Sequence, residues 1–204
     1  MRRKPAETTR HLDNAQGTDW LGASRTETAA ARILDVAGDL FVTHGVAAVN
    51  MNQIAAVAGC SRATLYRYFA SRSDLLLAYV ERGARALSAE VAVRIADIDD
   101  VGERITEAIL TSVEGVRADP VMHSWFSPEA AGLAGAMGAE SALVNQSAVE
   151  MLAGQTSSSE AEVALQARFI VRIVISLLTT PGADAAEERQ IVERFVTPVI
   201  VNQH

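Results

Sequence analysis

The stretch Asn50–Arg72 constrains the fold of this chain most strongly. It reads NMNQIAAVAGCSRATLYRYFASR, and Gly59 divides it into two short segments. Asn50 and Gln53 have the spacing of a capping box, so a helix is expected to begin there. Glycine tolerates the positive φ of a tight turn, and Ser61 can cap a second helix after it. The pattern therefore predicts two short helices joined by a turn.

The second of these helices has two different sides. Leu65 and Phe69 lie four residues apart and fall on the side expected to be buried. The side facing outward is small, aromatic or basic, and consists of Arg62, Ala63, Tyr66 and Arg67. A helix-turn-helix whose second helix has a basic outer side is typical of proteins that read the DNA major groove.

The string IAAVAGCSRATLYRYFASRSDLL closely resembles the DNA-binding signature of the TetR family of bacterial transcriptional regulators. The resemblance covers roughly Thr26–Leu77. It implies an all-α fold of about nine helices, with a three-helix head that binds DNA and a helical body that binds an effector and dimerises. The family often has Gly or Pro where Ala63 stands. Alanine suits a helix, so this departure bears on base preference and not on fold.

The resemblance also implies which residues contact DNA. Arg62 and Arg67 are the candidates for base contacts, because arginine bonds guanine bidentately. Ala63 belongs to the same surface. Phosphate contacts are expected at five family positions, and Asn52 is expected to face the DNA backbone. The five are Asn50, Thr64, Tyr66, Tyr68 and Arg72.

Charge is distributed unevenly along the chain. The 204 residues carry a net charge of −7. Residues 1–72 hold nine Lys/Arg and six Asp/Glu, a net of +3, whereas residues 73–204 hold nine and nineteen, a net of −10. A basic N-terminal third on an acidic remainder is the asymmetry expected of a DNA-binding head on a body that does not bind DNA.

Composition narrows the class further. Apolar residues make up 49% of the chain and aromatic residues 5%, and alternating β-branched patterns are rare, which favours helices throughout. The sequence contains no run of 18 apolar residues, so no membrane span is expected. The basic N-terminus is not followed by an apolar run, so it does not have the pattern of a secretory signal. The single cysteine, Cys60, favours a packed thiol over a redox sensor. A cytoplasmic protein without a cofactor or a metal is expected.

Three segments are predicted. Residues 1–23 are polar and begin with a basic cluster, so they form either a disordered tail or an arm that reaches DNA. Residues 24–70 form the helix-turn-helix domain, whose first helix is expected to begin at a capping box from Ser24 to Glu27. Residues 71–204 form the helical effector-binding and dimerisation domain.

The segment after Pro120 is the most irregular part of the predicted body. Large apolar side chains stand there among three glycines, a composition that favours a cavity. The alternative is that these side chains are ordinary core. The candidate effector pocket consists of Met122, His123, Trp125, Phe126, Met137 and Leu143.

The last two predicted helices, about 160–178 and 185–199, carry more apolar surface than one protomer needs. Two such helices favour half of a four-helix dimer interface, with additional core as the alternative. The candidate interface residues are Ile170, Val174, Leu177, Ile191 and Phe195.

Together these features predict a homodimeric DNA-binding transcriptional regulator, a repressor that a small apolar effector releases from a palindromic operator in double-stranded DNA. The alternative is an activator or partner-controlled regulator that binds no small molecule. An enzyme is not expected, because the four histidines are scattered and no phosphate-binding loop or nucleophile motif is present.

Overall fold

The computed structural model describes residues 20–126, 130–152 and 159–201, and this part of the chain is helical with no strand. The expected all-α fold is therefore confirmed. The last helix, α10, has three parts, namely α-helical Ala185–Ile191, π-helical Val192–Val196 and α-helical Thr197–Val201. The preceding helices are α1 (Trp20–His44), α2 (Met51–Val57), α3 (Arg62–Tyr68), α4 (Arg72–Ile95), α5 (Val101–Ala118), α6 (Pro120–Ser124), α7 (Ala131–Glu140), α8 (Ala142–Leu152) and α9 (Glu160–Thr179).

Two boundaries differ from the sequence prediction. Helix α1 begins at Trp20, so Ser24 lies within the helix and does not cap it. Most of the arm predicted at residues 1–23 lies outside the described residues. The irregular segment after Pro120 contains two helices, the five-residue α6 and α7, which begins at Ala131.

Two apolar cores organise the helices. The first joins α1, α2, α3 and the N-terminal half of α4, with Phe41, Leu65 and Leu75 almost fully buried. The second joins α5, α8, α9 and α10, with Ile109 and Leu152 at its centre. Helix α4 is 24 residues long, about 36 Å, and it packs against both groups of helices. It is the element that physically links the head to the body.

A buried ion pair fixes α10 to α5. The guanidinium of Arg117 donates two hydrogen bonds to the carboxylate of Glu188, at 2.8 and 2.7 Å, and a third to the Leu177 carbonyl. The N–H of Gly182 also donates to this carboxylate, at 2.9 Å. The Arg117 hydrogen bonds lower the pKa of Glu188, and the Gly182 N–H lowers it further. Bidentate geometry and the added backbone bond satisfy a carboxylate that is almost inaccessible to solvent.

Replacing Glu188 with glutamine should lower the free energy of unfolding by about 2 kcal/mol at pH 7, since a hydrogen bond to a charged group contributes about 1.5–3 kcal/mol. The folded-state pKa of Glu188 is depressed. Its contribution is therefore complete above the unfolded-state pKa of about 4.3 and disappears as pH falls through the folded-state value. Urea unfolding of both proteins across this range measures the difference. The exposed Glu90→Gln serves as control, and an equal acid response in all three proteins would contradict the assignment.

Candidate nucleic-acid interface and ligand cavity

Local hydrogen bonds build the helix-turn-helix as the sequence predicts. The carboxamide oxygen of Asn50 accepts from the N–H groups of Asn52 and Gln53, and the Gln53 side chain accepts from the Asn50 N–H. Gly59 has a φ of +67°, which allows the chain to turn between α2 and α3. The Ser61 hydroxyl then accepts from the Thr64 N–H and caps α3. Both helix starts and the turn therefore follow from local side-chain chemistry.

Helix α3 separates a buried side from an exposed one. Leu65, on the inner side of α3, is fully buried, and Phe69, at the end of the helix, is buried as well. Arg62, Ala63, Tyr66 and Arg67 are all exposed, as the outward register requires. The guanidinium of Arg67 lies 5.4 Å from the centre of the Tyr68 ring, which restricts how that arginine can point. The helix thus offers two arginines on a surface that the core beneath holds in place.

The other DNA-contact candidates have more varied surroundings. Asn52 is exposed on α2. Thr64 and Tyr68 are half-buried, and the Thr64 hydroxyl lies 2.9 Å from that of Ser61. Asn50 is exposed, but its carboxamide oxygen is already used in capping, so its NH₂ group is the part left for a phosphate.

Arg72, for which a phosphate contact is expected, makes two hydrogen bonds within the head. Its Nε donates to the Val49 carbonyl at 3.0 Å and its Nη2 to the Val46 carbonyl at 2.5 Å. These carbonyls belong to the segment that leads from α1 into α2. Arg72 is the first residue of α4, so its guanidinium ties the start of α4 to the entrance of the helix-turn-helix. No local pattern predicts this contact, because it joins residues 23 and 26 positions apart.

A cavity of about 450 Å³ lies in the body between α4, α5, α8 and α9. Its walls are largely apolar, and α4 contributes the longest of them, from Tyr79 to Ala96. Of the predicted pocket residues, Met122, Trp125 and Phe126 line it. The helix pattern of α4, α5 and α9 predicts a buried side for each, but not that these sides enclose a space.

The structure corrects the other three pocket residues. His123 is exposed on the short helix α6 and does not line the cavity. Met137 packs against the first core. Leu143 is half-buried on α8, where its neighbour Val144 lines the cavity instead. A helix presents neighbouring residues to different sides, so composition alone selected the segment but not its register.

Trp125 joins the cavity to the head. Its ring stacks on that of Tyr79, with centres 5.9 Å apart, and meets the edge of Phe41 at 5.7 Å. Phe41 belongs to α1 and Tyr79 to α4, and all three rings are buried in the first core. Gly38 makes room for Tyr79, because a Cβ there would lie 3.0 Å from the tyrosine oxygen. Burial raises the pKa of Tyr79, although Arg82 lowers it, so the phenol stays neutral at pH 7.

The apolar surface of the two C-terminal helices is not the one predicted. Ile170 and Leu177 are buried in the second core, and Val174 lines the cavity. Ile191 is half-buried. Among the predicted residues Phe195 is exposed, at 68%, and it is accompanied on these helices by Leu165 and Val199. The core of the protomer takes up one apolar side of α9, and the remaining exposed side is narrower than the sequence indicates.

The described residues contain no group of three or more His, Cys, Asp or Glu side chains arranged to hold a metal ion. Nor does any helix within residues 20–126, 130–152 and 159–201 have the length and hydropathy needed to cross a membrane. Cys60 is half-buried and packs against the first core beside the turn.

A capped helix-turn-helix with an exposed arginine face, carried on an all-helical body, defines a DNA-binding transcriptional regulator. The family model for bacterial regulatory proteins of the tetR family matches residues 33–79. The uncharacterized HTH-type transcriptional regulator Rv1255c of Mycobacterium tuberculosis is 44% identical over 184 residues, which cover 90% of this chain and 91% of that protein. The chain belongs to the TetR family.

Solved structures have the same fold. The TetR family repressor AlkX from Dietzia sp. superimposes with a TM-score of 0.63 at 23% identity, covering 84% of this chain and 94% of that one. FadR of Thermus thermophilus, a TetR family transcriptional repressor, gives a TM-score of 0.60 at 20% identity, covering 86% and 96%.

Replacing Arg72 with lysine tests the contact between α4 and the helix-turn-helix. Lysine keeps the charge but lacks the planar fork that reaches both carbonyls, so the free energy of unfolding should fall by about 1–2 kcal/mol. Urea unfolding measures it. Arg62→Lys is the matched control, because Arg62 is exposed on α3. Equal stability of the two variants would show that the guanidinium of Arg72 does not stabilise the head.

Proposed function

We propose that this protein is a homodimeric repressor that binds a palindromic operator and leaves it when an apolar effector occupies the body cavity. The observation that carries the proposal is the position of Trp125. This side chain lines the cavity and is also buried in the core that holds the helix-turn-helix in place. Occupation of the cavity and orientation of the head therefore depend on one set of contacts.

DNA reading is assigned to the exposed side of α3. Helix α3 lies in the major groove, where Arg62 and Arg67 contact base edges and Ala63 packs beside them. The polar groups of Asn50, Asn52, Thr64, Tyr66 and Tyr68 contact phosphates from α2 and α3. Arg72 uses two of its five donors within the head. Its other donors contact a phosphate, as expected of Arg72, while the two bonds hold α4 against the helix-turn-helix.

Dimerisation is assigned to the exposed apolar side of α9 and α10. Leu165 and Val199 line one shallow groove together with Phe169, and Phe195 stands about one turn before Val199. Pairing of this surface with its copy buries apolar side chains and gives the assembly two-fold symmetry. Two heads related by a two-fold axis match two half-sites of a palindrome.

Release follows from differential binding. A ligand shifts the protein only if it binds the released arrangement more tightly than the DNA-bound one. Ligand contacts on Trp125 and Tyr79 act on α1 through Phe41 and on α4 directly, because the three rings are in contact. A movement of α4 then reaches the start of α2 through Arg72.

The second candidate is a regulator that binds no ligand. A body without a cavity would have favoured this candidate. The cavity beside Trp125 favours the ligand-responsive form instead. FadR of Thermus thermophilus has the same fold and was crystallised in complex with lauroyl-CoA, which supports the view that a body of this fold can hold a ligand with an acyl chain.

Alanine at Arg62 or Arg67 should each cost roughly 1–3 kcal/mol of specific DNA binding and relax base preference, because a bidentate contact to guanine is lost. The operator is first obtained by genome-wide pull-down of bound DNA with the purified protein, and affinities are then measured by fluorescence anisotropy. Arg85→Ala, which removes an exposed arginine from α4, is the control. Tight and selective binding by both α3 variants would refute the assignment of α3 as the recognition helix.

Phe195→Glu should convert the dimer to monomers and weaken operator binding sharply, since it places a charge in an apolar interface. Light scattering after gel filtration measures the mass in solution. Val93→Glu is a matched control, because Val93 is 80% exposed on α4 and lies outside the proposed interface. A dimer that persists in Phe195→Glu would place the interface elsewhere.

A further inference from the structure

The cavity is elongated along α4. The residues of α4 that line it run from Tyr79, beside the head, to Ala96, just beyond the end of the helix. They fall at positions 79 and 80, 84, 87 and 88, 91 and 92, and 95 and 96, which together form one side of a helix. Seventeen residues of helical rise correspond to about 25 Å, so the cavity extends over most of the length of α4.

The lining residues of helix α5 indicate the same long axis for the cavity. Its lining residues are Arg104, Ala108, Ser112 and Val116, spaced four apart over about 18 Å. Arg104 lies at the end that Ala96 lines, because α5 runs back towards the head after the turn that follows α4. The rows of lining residues on α4 and α5 show that the cavity is an elongated channel, longer than a compact ligand needs.

Polarity differs between the two ends of this channel. The lining residues exposed to solvent all belong to the end far from the head, and they are Ala92, Ala96 and Glu150. Arg104 lines the same end and donates from its guanidinium to the Ile98 carbonyl, so this end carries the charged side chains of the lining, Arg104 and Glu150. The end near the head is lined by buried apolar residues such as Ala84 and Val116.

Three serines, Ser88, Ser112 and Ser147, line the channel, and the hydroxyl of Ser112 needs no ligand. The Ser112 hydroxyl donates to the Ala108 carbonyl within its own helix, at 2.7 Å. The indole nitrogen of Trp125 has no hydrogen-bond partner among the described residues, but it is buried away from the cavity surface. Trp125 therefore presents ring carbons to the channel. An alkyl chain can therefore pack against the part of the wall that Ser112 and Trp125 form without removing a hydrogen bond from either side chain.

We infer that the cavity takes a linear single-chain amphiphile, which enters tail first and keeps its polar head group at the entrance near Arg104 and Glu150. The inference rests on the proposed function and names the effector class for the same cavity. The end of the tail meets Trp125 and Tyr79, where the channel stops against the first core. Chain length therefore decides whether a bound ligand reaches the contacts that hold the head.

Unbranched primary alcohols from hexanol to dodecanol test this inference, because they vary tail length with a neutral head group. Binding is measured by calorimetry, and Trp125 emission is recorded in a Trp20→Phe background. Affinity should rise about fourfold for each added methylene until the tail fills the channel. The emission of Trp125 should change only with the longer members. An affinity that does not depend on chain length, or tighter binding of a compact aromatic alcohol with as many carbons, would overturn the inference.

Shortening the channel from its inner end provides the matched test. Ala84 is buried and lines the channel five residues beyond Tyr79, whereas Ala86 is exposed and lies outside it. Ala84→Leu should leave hexanol binding unchanged and weaken dodecanol roughly sixteenfold, the effect of losing about two methylenes of reach. Ala86→Leu should bind both alcohols as the unaltered protein does.

A second variant keeps the test valid if Ala84→Leu does not fold. Val80→Phe fills the same end at a half-buried position. Equal losses for short and long alcohols in both inner variants would overturn the assigned direction of entry. Operator binding without alcohol is measured in parallel, so failure of the amphiphile inference is distinguishable from failure of the proposed function. In the first case DNA binding by the unaltered protein persists, and in the second it is absent.

Discussion

The stacked and edge-to-face contacts among the rings of Phe41, Tyr79 and Trp125 hold the structure together where the head, α4 and the cavity meet. The rings of Phe41 and Tyr79 come from α1 and α4, and that of Trp125 from the residue that follows α6; their centres lie within 6 Å of one another in the first core. Aromatic side chains bury large apolar areas with specific geometry, so the cluster fixes how the head sits on α4. The same cluster closes the inner end of the cavity. A close-packed interior responds to a displaced ring by repacking its neighbours and not by compression.

Helix α4 contacts both the helix-turn-helix and the cavity. At its first residue, Arg72 bonds the carbonyls that precede α2, and at its far end Ala96 borders the entrance of the cavity. A helix is stiff along its axis because each turn is bonded to the next. A shift imposed near Tyr79 therefore displaces the start of α4 as well. The inner end of the cavity at Tyr79 is seven residues, about 10 Å of helical rise, from Arg72, so one element contacts both the helix-turn-helix and the cavity.

The parts of the site that could be predicted from sequence are those made by neighbours in the chain. The capping and turn roles of Asn50, Gly59 and Ser61 depend on residues no more than three positions away. These roles can therefore be predicted from the order of the residues alone. The sequence predicts Trp125 and Phe126 as cavity residues because helix-breaking residues surround them. It predicts Ile170 and Leu177 for the dimer surface, whereas both are buried in the second core, since an apolar pattern indicates that a side is buried but not which partner buries it.

The sequence by itself determined the helical class, the helix-turn-helix and the arginine side of α3, because periodicity, caps and glycine turns act over a few residues. Only the tertiary structure decided that Arg72 bonds the head, that Trp125 belongs to two environments, and that the apolar walls of α4 and α5 enclose a channel. These features join residues far apart in the chain. Their geometry depends on how whole helices pack, and that packing is set by the sum of many weak contacts.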